Sequence, residues 1–222
     1  MARWNSWLRQ QPSGTITQTL VGLNVGVFLM QQFAPQLALV PTFALQPLTI
    51  AEQGEWWRLV TAAFLHGGWL HLAMNMLALW QIGSALEQMI GPSRFLTLYF
   101  VAALGGSIAS YTFSDQFAYS VGASGAIFGL LTAFIVVGAA LRMDVSSAIV
   151  FLVINVAISF TGGIDKWAHF GGAAVGALVA WLFVERRKRG PKFDSTYYAV
   201  VISLVGLMLV AYFQRTNGLL GG

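Results

Sequence analysis

The stretch WAHFGGAAVGALVAWLFV, residues 167–184, carries no charged side chain, yet it contains one histidine and three glycines. Lipid offers no hydrogen-bond partner to backbone N–H and C=O groups, so a segment of about 20 mostly apolar residues crosses a bilayer as an α-helix. Small residues let two helix backbones approach closely in lipid. The stretch is therefore predicted to be a membrane-spanning helix that packs tightly against its neighbours.

The rest of the chain has the same membrane character. Of its 222 residues, 57% are hydrophobic and 9% are charged, an apolar share above that of ordinary soluble domains. Apolar runs between polar or Gly/Pro breaks predict seven spans. They are Ile16–Phe33, Leu70–Ile90, Phe95–Phe113, Ser124–Leu141, Ser147–Phe160, Trp167–Val184 and Tyr197–Phe213. The predicted fold class is all-α, a polytopic membrane helix bundle.

Positive charge sets the predicted orientation. The net charge is +4, and its densest run, residues 185–192, lies between the sixth and seventh spans. Such a run between two apolar segments is typical of a cytoplasmic loop, and no nucleic-acid partner is expected. With the N-terminus inside, nine cations fall on the cytoplasmic side and three outside. The C-terminus is therefore predicted to be extracytoplasmic.

Four parts are predicted along the chain. They are an N-terminal cytoplasmic or interfacial segment (1–14), a membrane domain (15–184), a basic cytoplasmic loop (185–196) and an additional span with a short tail (197–222). The first part places Arg3, Trp4 and Arg9 at headgroup level. The long connection between the first two spans carries Trp56 and Trp57, which indicates either a functional loop or an aromatic belt at the interface.

Few side chains in this sequence can perform chemistry. The absence of cysteine excludes disulfides, thiolate metal sites and a cysteine nucleophile. The three histidines, His66, His71 and His169, lie at or just inside the predicted outer ends of spans, where polar groups are costly and tend to mark function. Asn75 follows His71 by one helical turn, and Ser124 opens the fourth span. These five side chains fall at comparable depth, so they can converge.

Their types suit nucleophilic catalysis. A serine hydroxyl becomes a nucleophile when an adjacent imidazole removes its proton, and Ser124 with His169 can form that pair. At the first turn of its helix, Ser124 also lies where free backbone N–H groups favour developing negative charge. His71 and Asn75, at i and i+4, share one helical face, and both can donate hydrogen bonds to an oxyanion.

Each feature also has a structural interpretation. Gly122 and Gly125 either let a substrate backbone approach the serine or form a helix-packing face. The spacing of His71 and Asn75 equally suits a metal ion or an interhelical hydrogen bond. His169 can be an imidazole that only reaches toward the interface. The conjunction of these residues at one depth favours the catalytic interpretation.

Four motifs occur in order along the chain. They are Trp57-Arg58, His66 with His71-x-x-x-Asn75, Gly122-Ala123-Ser124-Gly125, and Ala168-His169-Phe170-Gly171-Gly172-x-x-x-Gly176. Together they resemble the rhomboid family of intramembrane serine proteases, over nearly all of residues 15–184. The resemblance implies a six-helix catalytic membrane domain, and the seventh span looks like the six-plus-one arrangement found in part of the family.

The resemblance also implies residue roles. Ser124 and His169 would be a catalytic dyad, with His71, Asn75 and the Ser124 backbone N–H as the oxyanion hole. Phe128, one turn after Ser124, falls where the family places an aromatic ring against the catalytic imidazole, although many members have tyrosine there. The other supporting positions are Gly122, Gly125 and His66.

The function predicted from these residues is an endopeptidase in the cell membrane that acts through an acyl-enzyme on Ser124, without a metal or organic cofactor. Its substrates would be single-pass transmembrane proteins, cut near the outer boundary of the bilayer. Asp165 precedes His169 by four residues and could complete a triad, but it is expected to lie in the outer loop, too far toward water. The alternative is a non-catalytic rhomboid-like protein that binds membrane clients; such relatives would lack the serine or the histidine.

Overall fold

A computed structural model describes residues 14–221 of the chain. The described part is helical, with one isolated β-bridge between Leu45 and Ser120. The all-α class is therefore confirmed. The predicted interfacial anchor around Arg3, Trp4 and Arg9 lies outside the described residues.

Helices occupy all seven predicted spans. In chain order the α-helices of the described residues, including three short ones between the first two spans, are α1 (Thr15–Phe33), α2 (Leu39–Phe43), α3 (Pro47–Gln53), α4 (Arg58–Thr61), α5 (Trp69–Ala78), α6 (Ser84–Ile90), α7 (Pro92–Phe113), α8 (Ser124–Ala140), α9 (Ser146–Ile158), α10 (Lys166–Arg189) and α11 (Asp194–Leu220). A π-helical turn at Leu79–Gly83 joins α5 to α6, so the second predicted span is one helical segment with a wider turn in its middle.

Three of these helices, α7, α10 and α11, are long and apolar enough by themselves to cross a bilayer. Helix α1 passes the same test together with the helical segment that follows it, Pro35–Phe43, which turns away by 101°. Helices α8 and α9 are apolar but shorter. The described chain is a membrane helix bundle that contains both full-length and shorter apolar helices.

The predicted basic loop at 185–196 is mostly helical. Helix α10 continues to Arg189, and a 3-10 turn at Gly190–Phe193 leads into α11. Glu185 forms ion pairs with Lys188 at 3.0 Å and with Arg189 at 2.8 Å. Such i,i+3 and i,i+4 pairs stabilise a helix, and cations in its last turn interact favourably with the negative end of the helix dipole. The positive charge therefore extends α10 instead of opening a loop.

Glycines set the distance between the central helices α8 and α10. A Cβ added to Gly172 would overlap the carbonyl oxygen of Gly125, and a Cβ added to Gly176 would overlap the backbone of Gly129. The two helices thus touch backbone to backbone, which only small residues permit in lipid. This contact holds the first turn of α8 against the first turns of α10.

A buried carboxylate binds the start of α1. Glu87 of α6 is 1% exposed, and it accepts hydrogen bonds from the backbone N–H groups of Ile16 and Thr17 and from the Thr17 hydroxyl. These are free donors at the start of α1, where negative charge is favoured. At the other end of the α5–α6 segment, the His71 ring borders Gly122, just before the start of α8. The start of α1 and the start of α8 therefore lie at opposite ends of the bundle.

The long connection between α1 and α5 is folded. Arg58 is 4% exposed, and its Nη1 donates to the carbonyl oxygens of Pro41 and Ala44, both at 2.8 Å. Leu45 exchanges two backbone hydrogen bonds with Ser120, at 3.1 and 2.9 Å. The connection therefore braces the chain four residues before the start of α8.

The tryptophans of this connection remain at the surface. Trp56 is 61% exposed and Trp57 is 37% exposed, and their rings meet edge to face. Amphipathic rings at such positions are typical of the membrane–water interface. The connection is thus held by internal hydrogen bonds and also exposes aromatic rings of the kind found at membrane interfaces.

Helix α11 lies at the periphery and is anchored at one end. None of its described residues is buried. The Tyr111 and Thr216 hydroxyls lie 2.6 Å apart, and Arg215 donates to the backbone carbonyl oxygens of Tyr111 and Ser114. These contacts tie the end of α11 to the end of α7.

Candidate active site

Ser124 and His169 meet at the glycine contact between α8 and α10. His169 Nε2 lies 2.9 Å from Ser124 Oγ. His169 is buried, whereas Ser124 is half-buried. Gly125 permits the approach, since a Cβ there would lie 3.2 Å from the carbonyl oxygen of Ala168. A hydroxyl bonded to an imidazole is the arrangement of a nucleophile and its general base.

Phe128 constrains the imidazole plane. Its ring stacks on that of His169, with the centroids 4.0 Å apart and the planes 12° from parallel. Phe128 is 5% exposed and lies one turn after Ser124 on the same helix. The stacked ring holds the imidazole so that its edge, and not its face, is directed at the serine.

Asp165 does not contact the imidazole ring. It precedes α10 as its N-cap, where Oδ1 accepts from the backbone N–H of Ala168 at 3.0 Å and Oδ2 accepts from the Ser110 hydroxyl. The nitrogen that a triad carboxylate would bind, His169 Nδ1, instead lies 2.6 Å from the Ser159 hydroxyl oxygen. Sequence reasoning missed Ser159, because nothing in the sequence places the end of α9 beside His169.

The hydrogen bonds of His71 assign its tautomer. Its Nδ1 accepts from the backbone N–H of Gly67 at 3.2 Å, so the ring proton resides on Nε2. That nitrogen borders Gly122, where an added Cβ would lie 2.8 Å from it. Gly122 also has φ of 125°, which L side chains avoid. Only glycine at this position leaves room for the His71 Nε2–H donor just before Ser124.

Asn75 follows one turn later on α5 and is 6% exposed. Its Nδ2 donates one hydrogen to the backbone carbonyl oxygen of His71 at 2.8 Å. An amide nitrogen carries two hydrogens, so the second one is available to a ligand. Helix α5 packs against α8, and the His71 ring at its start borders Gly122, two residues before Ser124.

A small cavity of about 20 Å³ lies beside the start of α8, and neither Ser124 nor His169 is among its lining residues. Ser107, Gly122, Gly125 and Ala168 are among its lining residues. This is the space of about one water molecule. In the part of the chain that the structure describes, no three His, Cys, Asp or Glu side chains cluster as a metal site would require.

His66 supports the site from behind His71. The two rings meet edge to face at 5.2 Å, and both ring nitrogens of His66 are buried without a hydrogen-bond partner among the described residues. Its backbone is fixed by the Gln31 side chain, which accepts from the His66 N–H at 3.0 Å and donates to its carbonyl oxygen at 3.1 Å. Burial, with the neighbouring His71, lowers the pKa of His66 from 6.5 to about 4.

The low pKa of His66 makes stability depend on pH. In the folded protein the ring stays neutral down to about pH 4, whereas in the unfolded chain it binds a proton below about pH 6.5. The contribution of His66 to the free energy of unfolding is therefore fully present above pH 6.5 and is lost as the pH falls toward 4. The slope of this loss approaches about 1.4 kcal/mol per pH unit. Thermal unfolding in detergent between these pH values should show a shallower slope for His66→Gln than for the parent. Equal slopes would contradict the burial of a neutral ring.

Comparisons with known proteins identify the family of this chain. Residues 53–186 match the family profile described as Rhomboid domain. The chain is 38% identical to Rhomboid protease GluP of Bacillus subtilis (strain 168) over 77% of this chain and 35% of that protein. It is 39% identical to RHOMBOID-like protein 5 of Arabidopsis thaliana, over 67% of this chain and 52% of that protein.

A third relative is matched over most of its own length. The chain is 35% identical to Putative rhomboid protease YdcA of Bacillus subtilis (strain 168), over 61% of this chain and 71% of that protein. The chain spans only about a third of GluP and about half of RHOMBOID-like protein 5. The matched region contains α4 to most of α10, and thus every helix that carries a candidate site residue. The chain belongs to the rhomboid family.

Proposed function

We propose that this protein is an intramembrane serine endopeptidase that cleaves single-pass transmembrane proteins near the outer boundary of the bilayer. The observation that carries the proposal is the 2.9 Å contact between Ser124 Oγ and His169 Nε2. The His71 ring borders Gly122 next to this contact, and Asn75 follows His71 by one turn on α5. The named proteases among its relatives support the same reaction class.

In the proposed reaction, His169 Nε2 takes the Ser124 proton while Oγ bonds to the carbonyl carbon of the scissile peptide. The carbonyl oxygen becomes an oxyanion that accepts hydrogen bonds from His71 Nε2–H, Asn75 Nδ2–H and the Ser124 backbone N–H, which has no intrahelical partner in the first turn of α8. His169 then gives its proton to the leaving amine, and the peptide C–N bond breaks to leave an acyl-enzyme.

Water completes the proposed cycle. His169 takes a proton from the water while the water oxygen bonds to the acyl carbon. The ester bond then breaks, and His169 gives the proton to Ser124 Oγ. The same three donors stabilise the second oxyanion. All groups come from the chain itself, so the proposed reaction uses no metal or organic cofactor.

The proposed orientation directs the site toward the extracytoplasmic face. Arg186, Arg187, Lys188 and Arg189 lie on the last turn of α10, at the end of the helix opposite His169. Cations near span ends favour the cytoplasmic side. We assign substrate entry to the side of α9, because none of its residues is buried and the Thr161-Gly162-Gly163 segment that follows it is exposed.

A serine-directed phosphonate tests the proposal directly. The purified protein in detergent is treated with a labelled fluorophosphonate, digested and mapped by mass spectrometry. We expect one adduct, on Ser124, and we expect none in the His169→Ala variant or in denatured protein. The rival, a non-catalytic protein that binds membrane clients, predicts no activated serine. An unlabelled protein, or a label on another serine, would reject the endopeptidase.

Replacing Asn75 with alanine should weaken catalysis without abolishing it. An oxyanion donor acts on charge that exists only near the tetrahedral intermediate, so the loss should appear in kcat and not in KM. Losing one such donor costs on the order of 10²–10³ in rate in soluble proteases. Steady-state kinetics on a transmembrane test substrate in detergent, with and without EDTA, measures both constants.

Asn24→Ala is the matched control. Asn24 is also buried and also donates from Nδ2 to the carbonyl oxygen four residues earlier, but it lies on α1. Both variants lose the same type of helix hydrogen bond, and only Asn75→Ala should lose kcat beyond what its change in melting temperature explains. A raised KM with unchanged kcat, or inhibition of the parent by EDTA, would remove Asn75 from the oxyanion hole.

A further inference from the structure

Ser159 is the one buried residue between Arg142 and Ala168. It ends α9, a helix whose own residues are all at least partly exposed in the protein, yet Ser159 is 1% exposed. A serine contributes little apolar packing, and a buried hydroxyl must have hydrogen-bond partners. Its burial therefore indicates that a polar contact holds the end of α9 in place.

That contact is with the imidazole of the candidate dyad. Ser159 Oγ lies 2.6 Å from His169 Nδ1 and 2.7 Å from the carbonyl oxygen of Asn155. Ser159 thus bonds the ring nitrogen opposite the one that contacts Ser124. In serine proteases with a full triad, a carboxylate occupies this position and fixes the imidazole tautomer.

The number of available protons determines which groups donate and which accept around Ser159 and His169. A carbonyl oxygen only accepts, so the single Ser159 proton can satisfy Asn155, leaving an oxygen lone pair for an N–H at His169 Nδ1. Nε2 is then unprotonated and accepts from the Ser124 hydroxyl, which gives three hydrogen bonds. In the reverse arrangement Ser159 donates to Nδ1, Nε2–H donates to Ser124, and only two bonds form. Because these groups are largely removed from water, the arrangement with more hydrogen bonds is favoured.

We propose that Ser159 is a positioning residue, whose hydroxyl holds His169 in the tautomer that leaves Nε2 free to accept the Ser124 proton. The proposal rests on the proposed function. Ser159 replaces the carboxylate of a triad with a neutral oxygen, while Asp165 caps α10 and bonds Ser110 instead. Because Ser159 is the C-cap of α9, the productive tautomer requires the end of α9 to be in contact with α10.

Nitrogen NMR tests the tautomer without requiring activity. The chain has three histidines, so protein labelled with ¹⁵N-histidine gives three imidazole spin systems, and His169→Ala identifies one of them. In the full chain at pH 8, we expect His169 to show a protonated Nδ1 and an unprotonated Nε2. In Ser159→Ala the fraction with a protonated Nε2 should rise. Ser147→Ala, an exposed serine on the same helix, should leave the spectrum unchanged.

Kinetics supply the second readout. Ser159→Ala should lower kcat by about 10- to 100-fold with little change in KM, because a buried donor loses its acceptor and the ring loses its orientation. Ser159→Thr keeps the hydroxyl and should restore both kcat and the parent spectrum. If Ser159→Ala changes only the melting temperature, the role is structural and the proposal fails.

The two hypotheses fail separately. A parent protein with His169 protonated on Nε2, or a Ser159→Ala spectrum identical to the parent, overturns the role of Ser159 even if the protein cleaves its substrates. A protein that forms no phosphonate adduct overturns the endopeptidase, whereas the NMR experiment still reports whether Ser159 sets the tautomer.

Discussion

Replacing Ser124 with alanine should abolish cleavage of a transmembrane test substrate while leaving the bundle folded. The hydroxyl is half-buried and its side-chain contact is with His169, so its removal costs little packing. In the proposed reaction the acyl-enzyme forms on this hydroxyl, which contacts His169 Nε2. Loss of the nucleophile costs on the order of 10⁶ in kcat in a soluble serine protease, which would take turnover below detection. Cleavage in liposomes and the melting temperature in detergent measure the two effects.

Two further variants define the result. Ser120→Ala removes a hydroxyl four residues earlier, at a residue fixed through its backbone bridge to Leu45, and it should remain active. Ser124→Ala combined with His169→Ala should lose no more than either single variant, since members of one catalytic unit are not additive. Normal turnover by Ser124→Ala, or a much larger loss in the double variant, would refute the dyad.

Replacing Gly172 with alanine should have the largest effect on the fold. The new Cβ would overlap the Gly125 carbonyl oxygen, and backbone cannot rotate away as a side chain can. Helices α8 and α10 must separate, which moves His169, one turn before Gly172, away from Ser124. Overpacking a rigid contact costs about 1–3 kcal/mol or more. We expect a lower melting temperature together with a large loss of activity.

Gly206→Ala is the matched control. Gly206 lies within α11, and an added Cβ there meets nothing within 4 Å. Alanine favours a helix over glycine by about 1 kcal/mol, so this variant should be at least as stable as the parent. If Gly172→Ala were equally stable and active, the backbone contact between α8 and α10 would not be what positions the two residues.

Runs of apolar residues predicted the positions of all the long helices, since a lipid-exposed backbone must form its hydrogen bonds within each segment. The same reasoning could not predict the short helices α2 to α4, because their polar and apolar residues do not form a long apolar run. Nor did it predict that α10 continues to Arg189, since charged residues at a span end suit a loop and a helical turn equally. In the structure, the ion pairs of Glu185 with Lys188 and Arg189 stabilise the helical turn.

At the candidate site, sequence selected the residue types, and their roles stay predictions. The motifs singled out Ser124, His169, His71 and Asn75 from their spacing, and the glycines at 125 and 172 from their size. Local sequence determines which side chains share a helical face and a depth in the membrane. It therefore limits the chemistry that the chain can perform.

Only the tertiary structure decided which groups touch. Proximity along the chain made Asp165 a possible partner of His169, although it was expected to lie too far toward water. In the structure one oxygen of that carboxylate caps the start of α10 and the other accepts from the Ser110 hydroxyl. Ser159 reaches His169 Nδ1 because α9 ends beside α10. Contacts between helices depend on packing and on where each helix ends, and neither depends on the residues of one segment alone. The sequence thus determined the long apolar helices and the candidate reactive groups, whereas helix packing determined the second hydrogen-bond partner of the imidazole.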